Sequence, residues 1–119
     1  MIPRGRGVIV NNASVTGWRA EAGQSHYAAA KAGVMALTRC AAVEAAGHGI
    51  RVNAIAPTIT AHDNLARAVG SEVLDGWAAA QPQGRAAEPF EIASAVAFLA
   101  SDNASYLTGE VISMSSQHP

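Results

Sequence analysis

G-V-I-V-N-N-A-S-V-T-G-W-R-A-E-A-G-Q-S-H-Y-A-A-A-K, residues Gly7 to Lys31, joins a short apolar run to a loop of small and polar residues and then to an alanine-rich stretch. The run Gly7 to Ala13 suits a buried strand ending at Ser14. Residues 15 to 24 read as a loop. From Ser25 to Ala46 the pattern is helical, with Tyr27, Ala30, Val34, Leu37, Ala41 and Val43 near helical spacing and Gly47 to Gly49 as the stop. Outward from this unit, Ile50 to Ala56 alternates imperfectly and ends at Pro57, predicting a second strand. Leu65 to Val69 and Ser71 to Ala80 form short helical segments broken near Gly70, and Pro82 and Gly84 close that region. A helix is predicted over Pro89 to Ser101, with Phe90, Ile92, Ala93, Val96, Ala97 and Leu99 as its apolar face. Glu88 and Glu91 at its start complement the helix dipole. Asp102 to Ser105 is a turn, and Leu107 to Met114 a last strand with Gly109 as a bulge or close-approach point. The order βαβαβ implies an α/β fold: a parallel sheet of about three strands, right-handed crossovers, and helices on both faces.

In such sheets chemistry gathers at the carboxyl ends of the strands. Ser14 and the turn Pro57 to Thr60 lie there, and Tyr27 lies near the start of the helix that follows the first strand. Tyr27 and Lys31 are four apart, hence on one helix face. A free phenol, with a pKa of about 10, is a poor proton donor or base near neutrality. A nearby ammonium favours the phenolate and brings it toward the working range. With Ser14 polarising a carbonyl, the set suits ketone reduction or alcohol oxidation. The same spacing also occurs on ordinary helices, where a partly buried tyrosine sits beside a solvated lysine.

The chain of 119 residues fits one domain or part of one. Its net charge of −1, with scattered basic residues, gives no support to nucleic-acid binding or electrostatic membrane attachment. The single cysteine, Cys40, excludes an intrachain disulfide and reads as a buried small apolar residue. The start M-I-P-R-G-R-G lacks an apolar signal region, and no apolar run has the length of a membrane span, so a soluble, reducing, cytoplasmic setting is expected. His26, His48, His62 and His118 have no ligand spacing, so no metal site is assigned. Apolar residues make up 50% and charged ones 14%, against about 25% charged in typical soluble domains. A sheet buried on both faces explains part of this, and surface that neighbouring structure should cover explains more.

Taken together, Ser14, Tyr27 and Lys31, the run R-V-N-A-I-A-P (Arg51 to Pro57) and the stretch from Gly84 to Val111 resemble the C-terminal half of a short-chain dehydrogenase/reductase, most nearly the reductases of 3-oxoacyl thioesters. The resemblance covers essentially the whole chain and implies a partial Rossmann-like sheet. It implies Tyr27 as acid/base and Ser14 as the carbonyl-polarising group. Lys31 would assist the tyrosine and bind the nicotinamide ribose. Pro57, Thr58 and Thr60 would form the turn that holds the nicotinamide carboxamide, mainly through the backbone of Thr60. It further implies NAD or NADP as cofactor, a small-molecule carbonyl substrate such as a 3-oxoacyl thioester or steroid-like ketone, and homo-oligomers paired through the helix 25–46. Residues 58 to 83 would form much of the substrate pocket, with Trp77, Leu74 and Leu65 as apolar contacts, although core packing accounts for these residues equally.

The chain departs from the family in several places. Thr58 stands where glycine is common after the proline, restricting the turn, and His62 stands where a threonine is common, reading as a surface loop residue or a donor to the cofactor. The end M-S-S-Q-H-P replaces an aspartate followed by glycines, so the last strand is expected to pack or assemble differently. A dinucleotide site also needs a glycine-rich turn between a strand and a helix N-terminus. The only candidate, Gly5-Arg6-Gly7, precedes a strand. The expectation is a C-terminal part of the family domain over 1–119, with the N-terminal dinucleotide-binding half absent, one edge of the first strand unpaired, and weak cofactor affinity. The isolated chain is then expected to be inactive. The alternatives are a non-catalytic remnant or dimerising interaction module, and a thioester-binding protein without a nicotinamide.

Overall fold

The computed structural model describes residues 1–115; Ser116 to Pro119, including His118 and most of the departing C-terminus, lie outside the described residues. Three strands, β1 (Gly7–Asn12), β2 (Ile50–Pro57) and β3 (Val111–Met114), alternate with four helices, α1 (Ser25–Ala46), α2 (Asp63–Val69), α3 (Ser71–Ala79) and α4 (Pro89–Ala100). The sheet is parallel throughout in the order β1-β2-β3. Its register pairs Gly7 with Ile50 through Asn12 with Ile55, and Ala54 with Val111 through Pro57 with Met114.

β2 is the central strand, and Val52 to Ala56 are all buried. Alternate side chains point to opposite faces. Ala54 and Ala56 pack with Ala13 and Met35 of the α1 layer, and Val52 with Ile50 and Ala42. On the other face Ile55 packs with Leu99 of α4 and Ala104. The expected α/β sheet with helices on both faces is therefore present.

The last strand is shorter than predicted, beginning at Val111 instead of Leu107. Over residues 107 to 110 side-chain bonds join two backbone bonds to β2, Gly109 N to Val52 O and Ala54 N to Glu110 O. Fully buried Asn53 donates through Nδ2 to Leu107 O at 2.8 Å and accepts at Oδ1 from Glu110 N at 3.1 Å. Thr108 Oγ1 accepts from Val52 N at 3.1 Å. Gly109, at φ 81°, donates its amide to Val52 O at 2.7 Å. A Cβ there would lie 3.4 Å from Ala42, so it is a close-approach point. Arg51 donates to Leu99 O at 2.8 Å and Ser101 O at 2.9 Å, satisfying carbonyls at the end of α4.

The predicted helical faces are partly displaced. On α1 the buried residues are Met35, Thr38 and Ala42, while Leu37 is 61% and Val43 82% exposed. Cys40 is exposed as well, contrary to its expected burial, because it lies on the same outer side. An alanine-rich helix with apolar residues all round gives no sharp stripe to read. On α4, Ile92, Ala95, Val96 and Leu99 pack inward, and Phe90 is 68% exposed.

Glu91 accepts from Glu88 N at 2.8 Å at the start of α4 and forms a two-bonded pair with Arg85 at 2.7 and 2.8 Å. Arg85, then the Glu88 amide, holds its carboxyl down to about 2. A carboxylate near 4.3 when unfolded then lends stability that is complete above that pH and is lost as pH falls through about 2. Glu91→Gln is expected to unfold at lower urea than the parent near pH 6, with the gap narrowing steadily on acidification. A gap independent of pH would contradict this.

Candidate active site

Ser14 leaves β1 in extended conformation (φ −166°, ψ 152°) and caps the short turn Val15–Gly17. Its Oγ accepts from Thr16 N at 3.2 Å and donates to Thr16 Oγ1 at 3.1 Å, and the residue is 8% exposed. Thr16 fixes the hydroxyl; nothing but its two-residue offset could have signalled this. Gly17 lets the loop lie on α1, since a Cβ would stand 3.0 Å from Ala32 N and 3.1 Å from the carbonyl carbon of Lys31.

Tyr27 is in the first turn of α1 and 40% exposed. The Lys31 ammonium lies 5.6 Å from its ring centroid, within cation–π range. The same ammonium donates to Asn12 O at 2.9 Å. Lys31 thus ties the start of α1 to the carboxyl end of β1, a role for Asn12 that its residue type does not advertise.

Across from them, the chain leaves β2 through Thr58, whose amide donates to Met114 O at 3.2 Å. Among the described residues every positive φ belongs to glycine, so Thr58 is accommodated without left-handed backbone. Residues 59 to 61 then pair with Ala87: Ala87 N donates to Ile59 O at 2.9 Å, and Ala61 N to Ala87 O at 2.8 Å. This parallel bridge leaves the peptide groups of Thr60 itself outside the pairing. His62 is neither an idle loop residue nor buried: its Nδ1 accepts from Leu65 N at 3.2 Å and caps α2.

These elements enclose a cleft of about 860 Å³ at the carboxyl ends of β1 and β2. Ser14, Tyr27 and Lys31 border it on one side; Pro57, Thr58 and Thr60 border it on the other. Leu65, Val69 and Trp77 of α2 and α3 form its apolar wall, while half-buried Leu74 does not border it. All six predicted site residues therefore share one cavity. A carbonyl placed there has a fixed hydroxyl, a phenol and an ammonium available from one chain.

A cofactor of nicotinamide type is partly matched by these residues. An ammonium has three donors and Lys31 commits one to Asn12, while the backbone of Thr60 is left out of the bridge that holds its neighbours. Those groups fit a ribose and a carboxamide. A pyrophosphate cradle is not matched: among the described residues no glycine-rich turn joins a strand to a helix N-terminus.

The parallel sheet with helices on both faces and a cleft at its carboxyl rim define a Rossmann-like α/β unit. The chain belongs to the short-chain dehydrogenase/reductase family of NAD(P)-dependent oxidoreductases: the family model described as enoyl-(acyl carrier protein) reductase matches residues 1–116. It is 66% identical over 113 residues to the (5R,7aS)-5-hydroxy-7a-methyl-1-oxo-2,3,5,6,7,7a-hexahydro-1H-indene-carboxyl-CoA reductase of Mycobacterium tuberculosis, covering 95% of this chain and 43% of that protein. It is 46% identical to the 3-oxoacyl-(acyl-carrier-protein) reductase FabG of Vibrio cholerae, covering 94% of this chain and 46% of the relative. Levodione reductase superposes with TM-score 0.89 at 40% identity, over 98% of this chain and 48% of that one. A Beutenbergia cavernae protein assigned as an NAD(P)-dependent gluconate 5-dehydrogenase, solved with NADP at low occupancy, gives TM-score 0.89 at 37% identity, over 98% and 47%. The chain spans about half the length of the relatives it matches.

Proposed function

We propose that these residues form the catalytic half of an enzyme that interconverts a ketone and a secondary alcohol with NAD or NADP. The observation that carries this is the single cleft bordered by Ser14, Tyr27 and Lys31 and by the turn Pro57 to Thr60. Ser14 turns its one hydroxyl proton from Thr16 Oγ1 to the carbonyl oxygen while Tyr27 delivers the proton to it, or removes it in the reverse direction. Lys31, whose ammonium lies 5.6 Å from the ring centroid, steadies the phenol and binds the cofactor's ribose hydroxyls; the backbone of Thr60 holds its carboxamide. When bound, the nicotinamide supplies or accepts a hydride at the substrate carbon. The apolar wall of Leu65, Val69 and Trp77 suits the ring or acyl part of the substrate. The similarity to a reductase of a fused-ring CoA thioester favours a ring ketone carried on a thioester.

In this reading the 119 residues are the C-terminal part of the family domain, and the phosphate grip comes from a polypeptide stretch they do not contain. The exposed outer side of α1, with Leu37, Cys40 and Val43, is the surface that pairs subunits. That surface also favours a second reading, a dimerising module without catalysis.

Titration of the 119-residue chain with NADH and NADPH, followed by nicotinamide fluorescence, tests the division of labour. Binding weaker than about 1 mM, equivalent to about −4 kcal/mol, is expected, with no turnover of a ring ketone and sedimentation as a dimer or larger. Turnover by this chain would refute its inactivity, and a monomer would refute pairing through α1.

A further inference from the structure

Residues 62 to 86 leave the body after the bridge at 59–61 and return at Ala87, so their two ends are held together at one base. Neither α2 nor α3 contains a buried residue, and the two helices pack on each other. This flap nevertheless carries the apolar wall of the cleft, through Leu65, Val69 and Trp77. At its returning end Arg85 pairs with Glu91 of α4, and further out a side-chain bond links the flap to the end of the central strand. Thr58, at the end of β2, donates its hydroxyl to Gln81 Oε1 at 3.3 Å. The other end of the same amide, Nε2, donates to the backbone carbonyl of Trp77 at 3.2 Å, one of the carbonyls that the end of α3 leaves open.

We propose that Thr58 and Gln81 are positioning residues that set how closely the Trp77 wall stands over the reacting carbonyl, and thereby select flat fused-ring ketones over small open-chain ones. This rests on the reading of the cleft as the substrate site. The physical reason lies in the placement of the pair. Thr58 directly follows the central strand and its amide is bonded to Met114 O of β3, so it moves with the sheet, whereas Gln81 lies just past the helix that bears the indole. A bond between them sets a distance between sheet and flap that the flap's own packing does not set. A fused ring needs that distance held, because its contact is with a surface; a small ketone is held by its carbonyl alone.

The test uses the 119-residue chain with Thr58→Val, Thr58→Ser and Gln81→Leu. Valine keeps the shape of threonine without the hydroxyl, and serine keeps the hydroxyl. Loss of one neutral hydrogen bond shifts an open-to-closed ratio by roughly 2- to 10-fold. Amide hydrogen exchange over residues 71 to 81 is therefore expected to accelerate by that factor in Thr58→Val and Gln81→Leu, with α1 and β2 unchanged and Thr58→Ser like the parent. Binding of 1-decalone, followed by ligand-observed NMR, should weaken by a similar factor in the first two variants, while binding of acetone should not change. Unchanged exchange in Thr58→Val, or equal losses for both ketones, would overturn the proposal. If Thr58→Val does not fold, Gln81→Leu decides by the same two readouts. If exchange responds as expected but the parent does not bind 1-decalone, the latch stands and the assignment of the cleft as a substrate site falls.

Discussion

Tyr27→Phe is expected to lower ketone reduction by roughly 10²- to 10⁴-fold, the usual contribution of a positioned acid or base, in a polypeptide that also supplies the dinucleotide-binding half. The substitution removes one hydroxyl from a residue that is 40% exposed at the cleft, so circular dichroism and the unfolding midpoint should stay at the parent values. The ring that faces the Lys31 ammonium at 5.6 Å is retained, and so is the bond from Lys31 to Asn12. Substrate binding should change far less than turnover, because Ser14 still donates to the carbonyl. Parental turnover in this variant would remove the proton-transfer role from Tyr27. A loss of folding would instead make the tyrosine a packing residue.

Asn53→Ala is expected to cost roughly 1–3 kcal/mol of stability, chiefly because the Glu110 amide loses its partner. Asn53 is fully buried and uses both ends of its amide, donating to Leu107 O and accepting from Glu110 N. Alanine leaves the Glu110 amide without that partner, leaves Leu107 O with only the 3.4 Å bond from Arg51, and opens a void as well. Against the 5–15 kcal/mol that holds typical domains together, this is a large fraction. Urea unfolding measures it directly. Asn53→Asp provides the contrast: it keeps an acceptor for Glu110 N but turns the other atom toward Leu107 O into a second acceptor and buries a charge. It should be at least as damaging as alanine. If Asn53→Ala unfolds within about 0.5 kcal/mol of the parent, the usual range for surface substitutions, the clamp is not what holds residues 107 to 110 against β2.

Much of the architecture was legible because punctuation and pattern agree. Gly47 to Gly49 ends the long helix, Pro57 closes the central strand, and Gly70 separates α2 from α3 where expected. The Tyr27 and Lys31 spacing placed both residues on one cleft because helical geometry is local. What could not be read depends on partners distant in sequence. The first part of the last strand is held in part by side-chain bonds from Asn53 and to Thr108, which no alternation of apolar residues encodes. Cys40, expected to be buried, lies with Val43 on the outer side of an alanine-rich helix, a side as apolar as the inner one. Thr58 was read as a restriction on a turn, whereas its hydroxyl reaches Gln81, 23 residues away. His62 carries a cap that threonine or aspartate more often supplies.

The central claim is that Ser14 and Tyr27 act on one carbonyl with Lys31 beside the phenol. A crystal structure of the chain soaked with cyclohexanone tests it most directly. The account predicts the ketone oxygen within about 3 Å of both the Ser14 and the Tyr27 hydroxyls, the ordinary span of a hydrogen bond between oxygens. A ketone bound elsewhere in the cleft, or a phenol directed into the interior away from Lys31, would contradict it.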